Sequence, residues 1–169
     1  FPYTTLFRSV FDMLKKLDDI FSDALTYTRT LVTELSPSVL RDHGLAVGLK
    51  WLTEHMRNKH AFAVTVMVPD DSELHLPEDH VILLFQSVRE LLINAAKHAG
   101  TGTATVQMDK RDGQLIIDVC DEGAGFDLAV VAEAGSPSGG ISSKFGLFSI
   151  QERMRALGGA FELHSEPGK

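Results

Sequence analysis

A chain of 169 residues, 44% hydrophobic and 23% charged, is long enough for one folded domain with its own core and an appended element. Its net charge of −7 argues against non-specific binding to nucleic acid or to an anionic membrane, but permits a nucleotide held by local donors and a divalent metal. A single cysteine, Cys120, excludes an internal disulfide and fits a reducing cytoplasmic compartment; no apolar run reaches membrane length, and no signal peptide is expected.

Residues 1–9 (FPYTTLFRS) are expected to be a non-native or disordered leader. From Phe11 to Leu35, the residues Leu14, Leu17, Phe21, Ala24, Thr28, Leu31 and Leu35 recur at alternating steps of three and four, which predicts a helix with a coiled-coil seam. Such a helix packs on its own domain or forms half of a dimer bundle, and the steady spacing favours the bundle. Ser36-Pro37 ends it, because proline disfavours helix at the residue before it. Gly44 to His60 reads as a second helix and Ala61 to Val68, rich in β-branched residues, as a strand. A turn at Pro69-Asp70-Asp71-Ser72 leads to a long helix from Pro77, in its first turn, to Ala99, stopped by Gly100 and Gly102. Thr103 to Lys110 and Gln114 to Cys120 are two strands of a hairpin turning at Arg111-Asp112-Gly113. Cys120 is expected to be a small core residue. Residues 122–145 are glycine- and serine-rich and read as a long functional loop. A helix from Gly146 to Leu157 and a last strand, Ala160 to His164, close the pattern, which is that of an α+β fold with helices on one face of a mixed sheet.

Three segments carry candidate chemistry. On the long helix, Val81, Leu84, Phe85, Val88, Leu91, Leu92, Ala95 and Ala96 fall on one face. Gln86, Glu90, Asn94, Lys97 and His98 fall on the other, with Ile93 at the edge. A plain solvated face is the ordinary reading of such a stripe. Mid-helix Asn is nevertheless a weak helix former. Its neutral oxygen suits a hard cation, and Glu90, one turn away, offers a carboxylate for proton transfer. In Asp121-Glu122-Gly123-Ala124-Gly125-Phe126, a carboxylate at a strand end can accept from an exocyclic amine such as that of adenine, and the glycines let backbone approach a flat ring. Gly146-Leu147 at the start of the last helix would expose backbone N–H groups to an anion. It is neither a Walker-type phosphate loop nor a dinucleotide fingerprint.

Taken in order, the run Glu90 to Ala99 resembles the N box of the ATPase superfamily that includes gyrase, Hsp90-type chaperones, histidine kinases and mismatch-repair ATPases. Asp121 to Gly125 is similar to its first glycine box, and Gly146-Leu147 resembles the second. The Lys97-His98-Ala99 ending, the helix Gly146 to Gly159 and the linker Leu35-Ser-Pro-Ser-Val-Leu40 with His43-Gly44-Leu45 look like sensor histidine kinases that pair with nitrate-response-type regulators.

The resemblance implies a two-layer α/β sandwich, the Bergerat ATP-binding fold, over residues 41–169. Residues 10–40 would then be the second helix of a dimerisation bundle and a linker. It implies ATP and Mg²⁺ as cofactors, with Asn94 as the metal ligand, Asp121 as the adenine anchor and Glu90 as the catalytic base. Lys97 and His98 would contact phosphate. Gly123, Gly125, Phe126, Gly146 and Leu147 would line the nucleotide, and residues 122–145 would form its lid. The implied function is transfer of the γ-phosphoryl group to a histidine outside the chain and on to a response regulator. The alternatives are an anti-sigma-factor-like serine kinase and a non-catalytic nucleotide-binding dimer module. A homodimer through the N-terminal helix, no direct nucleic-acid contact, and membrane contact only through a sensor region elsewhere are expected. The family's acid-flanked phosphoacceptor setting surrounds none of His43, His55, His60, His75, His80, His98 or His164, and the family's last strand is expected beyond Lys169.

Overall fold

The computed structural model describes residues 13–18, 20–22, 25, 38–68, 76–126 and 141–168. The chain divides into two compact units, Phe1–Ser38 and Val39–Lys169. In the first unit, the described residues between 13 and 25 are helical, and Met13, Leu14, Leu17, Ile20, Phe21 and Leu25 are 46–66% exposed. The remainder of the expected helix to Leu35 and its stop at Ser36-Pro37 lie outside the described residues.

The second unit runs α1 (Ser38–His60), β1 (Ala63–Met67), α2 (Glu78–His98), β2 (Thr103–Arg111), β3 (Gln114–Asp121) and α3 (Ile141–Ala156). The sheet has the order β1-β2-β3. β1 pairs parallel with β2, from Ala63↔Thr103 to Met67↔Gln107, and β2 pairs antiparallel with β3, from Ala104↔Asp121 to Arg111↔Gln114. A parallel pair needs a crossover, and α2 supplies it. The hairpin turns at Asp112 (φ 52) and Gly113 (φ 78), the pair of positive angles that an Asp-Gly turn provides.

Period-two alternation sets the layers. Ala104, Val106 and Met108 of β2 are buried and Leu115, Ile117 and Val119 of β3 are half-buried against the same core. Phe62, Val64 and the apolar faces of α1 and α2 complete it. Cys120 pairs with Thr105 on the opposite face and is exposed, so the expected core cysteine is corrected. The pleat places it one residue out of phase with Val119. The result is the expected α+β, two-layer arrangement with a mixed sheet.

α1 starts six residues before its expected start and contains a sharp turn at Gly44 (φ 74, ψ −174), a region of backbone space open almost only to glycine. That turn lays Leu40 over Gly48, where an added Cβ would collide with the Leu40 side chain. Trp51 stacks on His55 with ring centroids 5.1 Å apart and leans on the buried Phe85 of α2.

α2 matches the expected span closely, but Pro77 sits just outside as the N-cap (φ −53, ψ 147), not within the first turn. Glu78 and Asp79 open the helix and Lys97 and His98 close it, each sign complementing the helix dipole. The strand expected at Ala160 to His164 does not form. Residues 160–166 keep alternating exposure, with Phe161, Leu163 and Ser165 half-buried, yet their backbone joins no ladder among the described residues. A strand is defined by its partner, and alternation in sequence does not supply one.

Replacing Gly44 with Ala is expected to cost about 1–3 kcal/mol, because the backbone there excludes a Cβ. Urea unfolding checks this, and an unchanged midpoint would mean that α1 does not turn at Gly44.

Candidate functional site

The site is built on α2. Its core face buries Val81, Phe85, Val88, Leu92 and Ala95, as the 3.6-residue period requires. Ile93, at the edge of the stripe, is half-buried against the core. On the opposite side, Glu90 and Asn94 are half-buried and only Lys97 and His98 are exposed. The stripe is therefore not the plain solvated face that its polarity suggests, because α3 packs against α2.

α3 begins at Ile141, five residues earlier than expected, so Gly146 lies inside the helix instead of at its N-terminus. The anion-binding rationale for Gly146 is thereby corrected. What the position offers is close approach: a Cβ on Gly146 would collide with Oε1 of Glu90 and come within 3.2 Å of its Cδ, so the Glu90 carboxylate would have to swing aside. A glycine inside a helix costs about 1 kcal/mol relative to Ala. Here that cost is offset by close approach of the two helices. Further along, Arg153 Nη1 donates to Ser87 Oγ at 3.4 Å, and Ser87 Oγ donates to the Leu83 carbonyl at 2.8 Å. Ser87, two turns before Asn94 on the side that α3 covers, is buried, and these two bonds are how it is satisfied. Leu147 is half-buried and Phe148 exposed. The stretch 127–140, most of the expected lid, lies outside the described residues.

Asp121 ends β3 and turns back on its own loop, with Oδ1 accepting the Gly123 N–H at 3.0 Å. Its Oδ2 has no partner among the described residues. The loop is tied to the end of α2, where the Ala124 N–H donates to the Ala99 carbonyl at 2.7 Å. Gly123 is needed for this approach, since an added Cβ would collide with the Ala99 carbonyl oxygen and lie 2.5 Å from the Ala99 Cβ. Gly125 has φ 60 and Phe126 is 39% exposed. From the other side, Phe126 N–H donates to Ser165 Oγ at 2.9 Å and Gly168 N–H to the Ala124 carbonyl at 2.8 Å.

Between these contacts, Asn94 Nδ2 is buried and has no hydrogen-bond partner among the described residues. A buried amide left unsatisfied costs about 1–3 kcal/mol, and such groups mark places where something other than protein completes the bonding. Among the described residues, no group of three or more His, Cys, Asp or Glu side chains is arranged to hold a metal. A cation at Asn94 would therefore take most of its ligands from water or phosphate, the habit of Mg²⁺. Lys97 and His98 make no hydrogen bond among the described residues.

The structure thus brings Glu90 to Gly146, and Asp121, Gly123 and Gly125 to the end of α2, with Asn94 on the helix between them. A groove of about 490 Å³ lined by Lys50, Val66, Met67, Val68, Gln107, Met108 and Asp109 lies toward the other end of the strands and contains none of these residues. Ser87, Arg153 and Ser165 were not legible as site-building residues. Their partners are 66 residues away for the Ser87–Arg153 pair and 39 for Phe126–Ser165, and no local spacing announces such contacts.

Residues 79–169 match the family model described as "Histidine kinase-, DNA gyrase B-, and HSP90-like ATPase". The chain is 32% identical over 161 residues to an uncharacterized sensor-like histidine kinase of Chloroflexus aurantiacus, covering 92% of this chain and 26% of that protein. It is 30% identical over 156 residues to the sensor histidine kinase LiaS of Bacillus subtilis, covering 92% of this chain and 40% of the relative. Its fold is similar to that of a histidine kinase domain from an Erythrobacter litoralis blue-light activated histidine kinase. The TM-score is 0.57 at 18% identity, over 73% of this chain and 56% of that one. The chain therefore spans less than half the length of the two sequence relatives.

Gly→Ala inside a helix ordinarily stabilises by about 1 kcal/mol. At Gly146 that gain is expected to be lost, leaving stability within about 0.5 kcal/mol of the parent, because the Glu90 carboxylate must swing aside. The gain should return in a Glu90→Ala background. A Gly146→Ala chain about 1 kcal/mol more stable in urea than its parent would show that α3 does not rest on Glu90.

Proposed function

This chain belongs to the histidine kinase-, DNA gyrase B- and HSP90-like ATPase family, and on that premise we propose that it is the catalytic domain of a two-component sensor histidine kinase. In this reading it transfers the γ-phosphoryl group of ATP to a histidine outside the chain, from which it passes to a response regulator. The buried Nδ2 of Asn94, a donor with no partner among the described residues, is the observation that carries the reading, because it calls for an acceptor such as a phosphate oxygen beside the cation that the side-chain oxygen would hold. Asn94 sits on one helix between Glu90 and the Asp121 loop. From Glu90 to Ala99 is about 13 Å along that helix, a span suited to an extended nucleoside triphosphate.

Asp121 takes the base end. Its Oδ1 is committed to Gly123, which leaves Oδ2 to accept from the exocyclic amine of adenine. Gly123, Gly125 and Phe126 form the wall against the ring. Asn94 takes the phosphate end and would hold Mg²⁺ together with the nucleotide's own oxygens. When bound, that cation neutralises charge on the transferring phosphoryl group. Exposed in the last turn of α2, Lys97 supplies positive charge and His98 a ring N–H donor to the phosphates. Glu90 is the candidate base that accepts the proton of the phosphoacceptor. Gly146 and Leu147 border the phosphate end from α3. Catalysis in this arrangement is mostly positioning and charge neutralisation.

The curated relatives are sensor histidine kinases, which does not favour the serine-kinase or non-catalytic alternatives. The apolar side chains exposed between Met13 and Leu25 support a homodimer through the N-terminal helix. Among the described residues, no helix is long and apolar enough to cross a membrane. The catalytic part is accordingly proposed to be cytoplasmic, with any membrane anchor in a sensor region.

Asn94→Ala should abolish Mg-ATP binding in calorimetry while the circular dichroism spectrum is retained, and an unchanged affinity would refute the assignment. Sedimentation of the chain should give a dimer mass that Leu17→Asp with Phe21→Asp shifts to the monomer. A monomeric parent chain would remove the dimer from the proposal.

A further inference from the structure

The loop proposed to receive the adenine base is not held by β3 alone. Asp121 reaches its position by spending Oδ1 on the Gly123 amide, so the direction of its free oxygen depends on how residues 122–126 are folded. Three bonds from outside the loop set that fold. The Ala99 carbonyl receives the Ala124 amide, the Gly168 amide caps the Ala124 carbonyl, and Ser165 Oγ receives the Phe126 amide at 2.9 Å. Of these, only the last uses a side chain, and it comes from a segment 39 residues downstream. The alternating exposure of residues 161–165 turns Phe161, Leu163 and Ser165 inward together, so the hydroxyl is carried to the loop by the same side that packs.

We infer that Ser165 is a positioning residue for the base-binding loop: its hydroxyl fixes the Phe126 end while Ala99 fixes the Ala124 amide, and together they aim Asp121 at the exocyclic amine of the purine. Ser165 does not touch the nucleotide in this arrangement. Its effect is on recognition of the base and not on the phosphate end, where Asn94 lies. The inference rests on the proposed assignment of Asp121 to the base.

The test compares the parent chain with Ser165→Ala, Ser165→Thr and Asp121→Asn. Binding of ATP and of inosine triphosphate, which carries a carbonyl where adenine has its amine, is measured by calorimetry. Amide exchange of residues 121–126 is followed without nucleotide. Loss of one hydrogen bond should speed Phe126 exchange in Ser165→Ala by about fivefold. ATP should bind about fivefold more weakly, with its preference over inosine triphosphate reduced by a similar factor. Ser165→Thr keeps the hydroxyl and should restore both to within about twofold of the parent. If Asp121→Asn loses the preference while Ser165→Ala keeps it, the inference on Ser165 is overturned and the base site stands. If Ser165→Ala weakens both nucleotides equally, the residue is merely structural and the inference fails. If Asp121→Asn retains the full preference, the base assignment itself is wrong, and the role of Ser165 falls with it.

Discussion

The hydrogen bond from the Ala124 amide to the Ala99 carbonyl joins the two halves of the site. It ties the last carbonyl region of α2, where helix groups have no intrahelical partner, to the loop that follows β3. Without it, Asp121 and Asn94 would be related only through the core that packs β3 on α2, and the loop after Asp121 would not be tied to the end of the helix. Gly123 is the residue that lets the two backbones come this close, and any side chain there would strike Ala99. The constraint is steric first and electrostatic second.

α2 serves two neighbours at once, and this explains the distribution of polarity along it. One face is committed to the sheet core through Phe85, Val88 and Leu92. The other is neither core nor solvent. α3 covers Glu90 at the glycine gap of Gly146, and Asn94 is left with a buried amide group that no described residue satisfies. Leaving such a group unpaired lowers stability, as does a glycine within α3. Both departures from what folding alone would choose fall on the side of α2 that carries Glu90 and Asn94, one on α2 itself and one on the helix packed against it. Local conflict concentrated in this way is the pattern expected where function competes with stability.

Ser87 and Arg153 link the same two helices by a different device. A serine buried beneath a neighbouring helix needs a partner; it donates to the Leu83 carbonyl one turn back and accepts from Arg153 of α3. Between them, Gly146 at Glu90 and Arg153 at Ser87 fix the line along which α3 lies on α2. The segment before α3 thus leads into a helix already seated on the stripe that carries Glu90 and Asn94.

The sequence by itself determined the elements whose signals are local. The Asp112-Gly113 turn with its hairpin and the apolar period of α2 follow from residue preferences within a few positions, and the order of the Glu90, Asp121 and Gly146 segments was legible as a pattern. Tertiary structure alone decided which of those residues are covered and by what. Gly146 read as a helix start because glycine punctuates sequence, yet packing against Glu90 places it inside a helix. Ala160 to His164 alternates like a strand but has no ladder, and Cys120 reads as core but faces outward by one step of the pleat. Ser165 carried no signal at all. In each case the deciding contact lies tens of residues away in the chain, where local spacing carries no information about which atoms will meet.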